Sequence, residues 1–148
     1  MDLLKPTLVA LVLLGTLATV PAASAQDRPY TEGTVWDISY VRTEPGQFDA
    51  YAEELSTLWQ RLMERAKEEG YVLSYKVLSA PPSNRDDWNL MLLIEYPNMA
   101  ALDNADERFD PLVAEVIGSI DESNRATAER RRLREILGGK LARELVLR

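Results

Sequence analysis

The chain has 148 residues, 46% hydrophobic and 28% charged, the balance of one globular domain. Its net charge of −7 argues against wrapping nucleic acid or anionic lipid over a broad surface, because both demand positive charge at the contact. Cysteine and histidine are both absent, which removes disulfides, Ser-His-Asp triads, Cys-His nucleophiles, His-ligated zinc and a proximal-His haem. No metal and no cofactor is expected.

Residues 1–25 differ in kind from the remainder. Lys5 supplies a basic start, residues 8–18 are almost wholly apolar, Pro21 breaks any helix, and Ala23-Ser24-Ala25 has the small-x-small form of a cleavage site. The expectation is a secretory signal peptide cut between Ala25 and Gln26, which places the mature protein in the periplasm or outside the cell. The apolar run, bounded by Pro6 and Pro21, falls short of the roughly 20 residues an anchor needs, so no membrane association is expected after cleavage. Residues 26–33 read as a polar linker, and residues 34–148 as the single folded domain.

From Thr34 the pattern alternates with period two over residues 34–42. Trp36, Ile38 and Tyr40 project one way and Val35, Asp37, Ser39 and Val41 the other, in a β-branched and aromatic run suited to a strand. Pro45-Gly46 makes the turn. Apolar residues then recur at 48, 51, 52, 55, 58, 59, 62, 63 and 66 with helical spacing, while Asp49, Glu53, Glu54, Arg61, Glu64 and Lys67 fill the opposite face. Gly70 sits where a left-handed residue ends a helix. The stripe is expected to bury Phe48, Tyr51, Leu55, Leu58, Trp59 and Leu62 on a sheet.

Residues 71–80 form the second expected strand, and the proline-rich, polar residues 81–87 a long exposed connection. Residues 88–96 form the third strand. It is apolar on both faces, as a central strand covered on both sides would be. Asn98 can cap a short helix over residues 99–105, and Asp110-Pro111 opens another that continues through Arg125 and Leu133 to Leu137. Gly138-Gly139 stops it, and residues 140–148 supply a last strand.

The order is β-α-β-β-α-β, which predicts an α+β fold: a ferredoxin-like sandwich, an antiparallel sheet with helices on one face. The second face, apolar through strand three, predicts a symmetric homodimer that buries sheet against sheet.

The strand with Trp36, Ile38 and Tyr40, the Pro45-Gly46 turn, the helix with Tyr51 and Trp59, and the run Ile94-Glu95-Tyr96-Pro97-Asn98-Met99-Ala100-Ala101-Leu102 together resemble the dimeric α+β barrel superfamily. That group includes antibiotic-biosynthesis monooxygenases, EthD-like and NIPSNAP-like proteins, and many exported proteins of unassigned function. The resemblance implies the fold and the dimer more than an activity. The absence of histidine departs from the haem-degrading members.

The enzymes of the group hold a flat aromatic substrate between sheet and helices, and the resemblance nominates Trp36, Tyr40, Trp59, Tyr75 and Trp88 as pocket walls. Asn89, Arg42 or a tyrosine hydroxyl would hydrogen-bond an oxyanion if the chain were a cofactor-independent oxygenase. The plainer reading is that the aromatics fill the core. Asp37, Lys76 and Glu95 form a second, charged group if they meet in the barrel; the plainer reading there is exposure or an ion pair. Asp103, Asp106, Glu107 and Asp110 lack the glycine and spacing of a calcium loop and read as helix first-turn charge. Arg125, Arg130, Arg131, Arg132 and Arg134, interleaved with Glu129 and Glu135, read as a solvated helix face, or otherwise as a docking site for an anionic partner.

Three functions follow in order of support: a dimeric small-molecule-binding or structural module whose ligand is small and hydrophobic or aromatic, a cofactor-independent oxygenase, and a docking protein using the arginine-rich helix. The first two differ in whether the space between helix and sheet is filled or open: a pocket of about 300 Å³ or more, lined by Trp59, Tyr40 or Tyr75 with a convergent polar group, would favour the enzyme, and rings that close on one another would count against it.

Overall fold

A computed structural model describes residues 28–148. The signal-peptide reading and the Ala25/Gln26 junction lie outside the described residues. Among those described, no helix is long and apolar enough to cross a membrane.

The elements follow one another as β1 (Tyr30–Thr43), α1 (Phe48–Glu54), a π-helical segment (Leu55–Trp59), α2 (Gln60–Glu68), β2 (Ser74–Ser79), β3 (Leu90–Tyr96), a 3₁₀ turn (Met99–Leu102), α3 (Ala105–Ile117), α4 (Ile120–Arg130) and β4 (Arg134–Leu147). The strands form one four-stranded sheet in the order β2-β3-β1-β4, every neighbour antiparallel. The architecture is α+β.

Strand alternation decides which residues meet the helices. Val35 and Val41 of β1 and Leu90 and Tyr96 of β3 are buried, Val35 and Tyr96 with Ala66, Val72 and Leu112, Val41 and Leu90 with Tyr51 and Leu55. Complete burial of such a side chain contributes about 1.5–3 kcal/mol. Trp36, Ile38 and Tyr40 alternate with these and leave from the opposite face, paired with Glu95, Leu93 and Met91 of β3.

Several boundaries differ from the sequence reading. β1 begins at Tyr30, inside the expected linker, because β4 is long enough to pair with it as far as Leu147. β2 is shorter than expected: Tyr71 and Val72 donate their amide hydrogens to the Ala66 carbonyl as the chain leaves the helix past Gly70, whose φ is +74°. Pro111 lies inside α3, which begins earlier, after Asn104 in a left-handed conformation.

The largest difference is at the C-terminus. The expected helix to Leu137 ends at Arg130, and Arg134 to Leu137 belong to β4. Backbone pairing of Arg134, Glu135 and Ile136 with Thr43, Arg42 and Val41 overrides a helix-favouring local composition. Gly138-Gly139 does not stop an element but sits within the strand at a register shift, with Gly138 at φ +152°. Gly139 passes so close to β1 that a Cβ there would lie 2.9 Å from the Ile38 carbonyl oxygen.

Candidate functional site

The long helix is not uniform. Ser56 Oγ donates to the Glu53 carbonyl at 2.7 Å, and Thr57 Oγ1 to the Glu53 and Glu54 carbonyls, both at 3.1 Å. These hydroxyls satisfy acceptors in the turn where the backbone widens, and Gln60 N–H reaches back five residues to the Leu55 carbonyl. The wide turn moves the buried stripe: Tyr51 and Leu55 are followed by Met63 and Ala66, while Leu62 and Trp59 are half-buried and Phe48 is exposed.

Trp59, the last residue of that turn, stands between two cavities. On one side a cleft of about 260 Å³ is bounded by the helix residues Phe48, Ala52 and Ser56 and by Tyr75, Val77 and Leu90 of the sheet. Tyr75 meets Trp59 edge-on, centroids 5.2 Å apart and planes at 87°. On the other side a cavity of about 190 Å³ lies over Ser39 and Leu92 and is closed by Tyr51, Glu54, Arg130 and Arg134. Leu55 and Trp59 wall both spaces.

The charged groups of the second cavity come from three elements. Glu54 Oε1 accepts from Arg130 Nε at 2.5 Å, a pair whose side chains keep only 20% and 19% of their exposure. The Arg134 guanidinium lies over the Tyr51 ring, 5.8 Å from its centroid. Its Nε is buried and has no hydrogen-bond partner among the described residues. Glu54 is engaged by Arg130, and Glu135 by Arg42 at 2.6 Å.

The nominated aromatic residues therefore divide. Trp59 and Tyr75 come together between helix and sheet. Trp36 and Tyr40 lie on the opposite face, where the Trp88 ring packs against Tyr40 with centroids 6.1 Å apart and Lys76 Nζ stands 5.0 Å from the Trp36 centroid. Asn89 is a structural clamp: Thr43 N–H donates to its Oδ1 at 2.9 Å, and its Nδ2 donates to Thr43 Oγ1 at 2.7 Å. Arg42 is taken by Glu135 and by the Arg85 carbonyl at 2.8 Å, and its carboxylate partners hold it protonated above its ordinary range.

The charged group does not assemble. Asp37 pairs with Ile94 and shares the helix-facing side, half-buried, with burial pushing its carboxyl up. Glu95 and Lys76 leave from the other face, one residue out of phase. Glu95 accepts from Thr34 Oγ1 at 2.8 Å and from Ser74 Oγ at 2.5 Å.

Sequence reasoning missed Ser39, Glu54, Arg130 and Arg134 as a group. Arg130 and Arg134 look like members of one solvated helical run, and only the change from α4 to β4 between them turns both toward the sheet. The adjacent Ser56-Thr57 in mid-helix was the available signal for the wide turn.

No protein-family model matches the chain, and no curated protein matches it. Among solved structures the fold is similar to that of HapK from Hahella chejuensis. The TM-score is 0.51, and the match covers 74% of this chain and 91% of that one at 14% sequence identity. The likeness is one of fold.

Proposed function

We propose that this chain is a ferredoxin-like half of a dimeric α+β barrel, exported from the cytoplasm, whose role is to bind a flat, largely apolar small molecule between the long helix and the sheet. The observation that carries the reading is the 260 Å³ cleft with the Trp59–Tyr75 pair in its wall. An apolar cleft with aromatic walls beside a π-turn is a form that ligand sites favour. The strand order β2-β3-β1-β4 supports the ferredoxin-like sandwich, and the likeness to HapK supports the fold.

The dimer reading rests on the sheet face turned away from the helices, where Trp36, Ile38, Tyr40, Met91 and Leu93 are half-buried and Leu78 is 47% exposed. A second copy laid on that face removes this apolar surface from water. Sedimentation should show a dimer at micromolar concentration and a monomer for Leu78→Glu with Met91→Glu; a monomeric wild-type protein would rule the dimer out.

The binding reading is tested by fluorescence. With Trp36→Phe and Trp88→Phe, Trp59 becomes the sole tryptophan. A neutral planar probe, 2-naphthol, should quench it saturably, and Ser56→Phe, which fills the cleft from the exposed helix surface, should abolish the quenching in a protein that circular dichroism shows to be folded. Quenching that never saturates, or that survives the filled cleft, would overturn the reading.

A further inference from the structure

The Arg134 environment carries a more specific conclusion, which rests on the binding reading above. We infer that the cavity behind Trp59 is an anion subsite, and that the ligand is a planar aromatic monocarboxylate whose carboxylate is held by Arg134 while its ring lies against Trp59.

A guanidinium stays protonated under all ordinary conditions and has only donors to offer. A guanidinium that lines a cavity and has no acceptor for its donors gains from an acceptor placed within their reach. Arg134 lines this cavity and makes no ion pair or side-chain hydrogen bond among the described residues; its Nε is buried, which leaves the Nη groups as the donors a ligand can reach. The two Nη groups make a planar fork that matches the two oxygens of a carboxylate. The Tyr51 ring beneath the guanidinium orients that fork.

Charge selects the class of anion. Glu54 and Arg130 neutralise each other across 2.5 Å, so Arg134 leaves the cavity one positive charge in excess. One negative charge balances it; a dianionic phosphate would bring a second charge toward the Glu54 carboxylate. The remaining walls, Val41, Leu55, Leu92 and Ile136 with Trp59, are apolar and suit a ring. A cavity of about 150 Å³ accommodates benzene, and this one measures about 190 Å³.

The test is calorimetric titration of the full chain with 2-naphthoate, its neutral isostere 2-naphthamide, and 2-naphthyl phosphate. Wild-type protein should bind the carboxylate about tenfold more tightly than the amide, the effect of a charge-assisted pair, and more tightly than the phosphate ester. Arg134→Gln should erase the preference for carboxylate over amide and leave amide binding intact, which also shows that the variant is folded. Glu54→Gln unpairs Arg130 and should tighten carboxylate binding about threefold, a gain that an unfolded variant cannot produce.

Equal binding of naphthoate and naphthamide by the wild type, a preference that survives Arg134→Gln, or weaker carboxylate binding by Glu54→Gln would overturn the anion subsite while the cleft remains a binding site. Preference for the phosphate ester would overturn the monocarboxylate. Failure of all three probes to bind would overturn the binding reading and this inference together.

Discussion

Tyr75 reaches from β2 to the long helix and donates its hydroxyl hydrogen to Glu64 Oε1 at 2.5 Å, while the same ring meets Trp59 edge-on. One side chain thus ties the cleft wall to the helix. That hydrogen bond is the main reason the Glu64 carboxyl lies below its ordinary range, and burial with the Glu64 contact raises the Tyr75 phenol.

Tyr75→Phe should keep the ring packing and move the Glu64 pKa upward, read by carbon-13 NMR titration of the carboxyl. A carboxylate with a lowered folded pKa contributes stability above its ordinary value of 4.5 and loses it as pH falls through the folded pKa. Wild type and Tyr75→Phe should therefore differ most near neutrality and converge in acid. Glu64 lies at the surface, where solvent screens it, so the difference will be small. An unmoved Glu64 titration would show that the hydrogen bond does not form in solution.

Asp37 has the opposite sign. Burial raises its carboxyl, so its favourable contribution is complete below the ordinary value of 3.8 and is lost as pH rises through the folded pKa. Asp37→Asn should raise the melting temperature at pH 7, with the gain shrinking toward pH 3. A gain that is constant across pH would place its cause outside ionisation.

Two glycines give opposite expectations for the same substitution. At Gly139 a Cβ would press on the Ile38 backbone carbonyl at 2.9 Å, and backbone in a paired strand cannot step aside; Gly139→Ala should cost about 1–3 kcal/mol. At Gly33 the nearest atom is Glu144 Oε2 at 2.8 Å, the far end of an exposed side chain that can swing away, with Glu144 Cβ at 3.1 Å behind it needing to give only slightly; Gly33→Ala should cost less than about 1 kcal/mol. Urea unfolding of both variants checks the contrast; equal costs would contradict it.

Asn89→Ala strips both partners from Thr43, which is buried, leaving its N–H and hydroxyl without the bonds they now make. The expected loss is about 1–3 kcal/mol in chemical denaturation. If ligand binding fell while stability held, Asn89 would belong to the site and not to the scaffold.

The contrast between Arg130 and Arg134 shows how far local reading reaches. Strand alternation in β1 and β3 and the helical stripe are written in the period of the hydrophobic residues, so the middle of β1, β3, the long helix, Gly70 and the Asn98 cap are legible in the sequence. Of the five aromatics nominated as pocket walls, Trp59 and Tyr75 lie against each other between helix and sheet. Trp36 and Tyr40 were placed in the same set because alternation says which residues share a face and not which face the helices cover.

The composition, the absence of histidine and cysteine, the β-α-β-β-α-β order and the amphipathic helix were determined by the sequence alone, because each depends on residue type and on spacing along a few turns. Tertiary structure decided the fate of residues 131–139. There a helix-favouring stretch becomes the start of β4, since pairing with β1 outweighs local preference. That single switch carries Arg134 off a helix surface and over Tyr51, into the wall of the cavity behind Trp59.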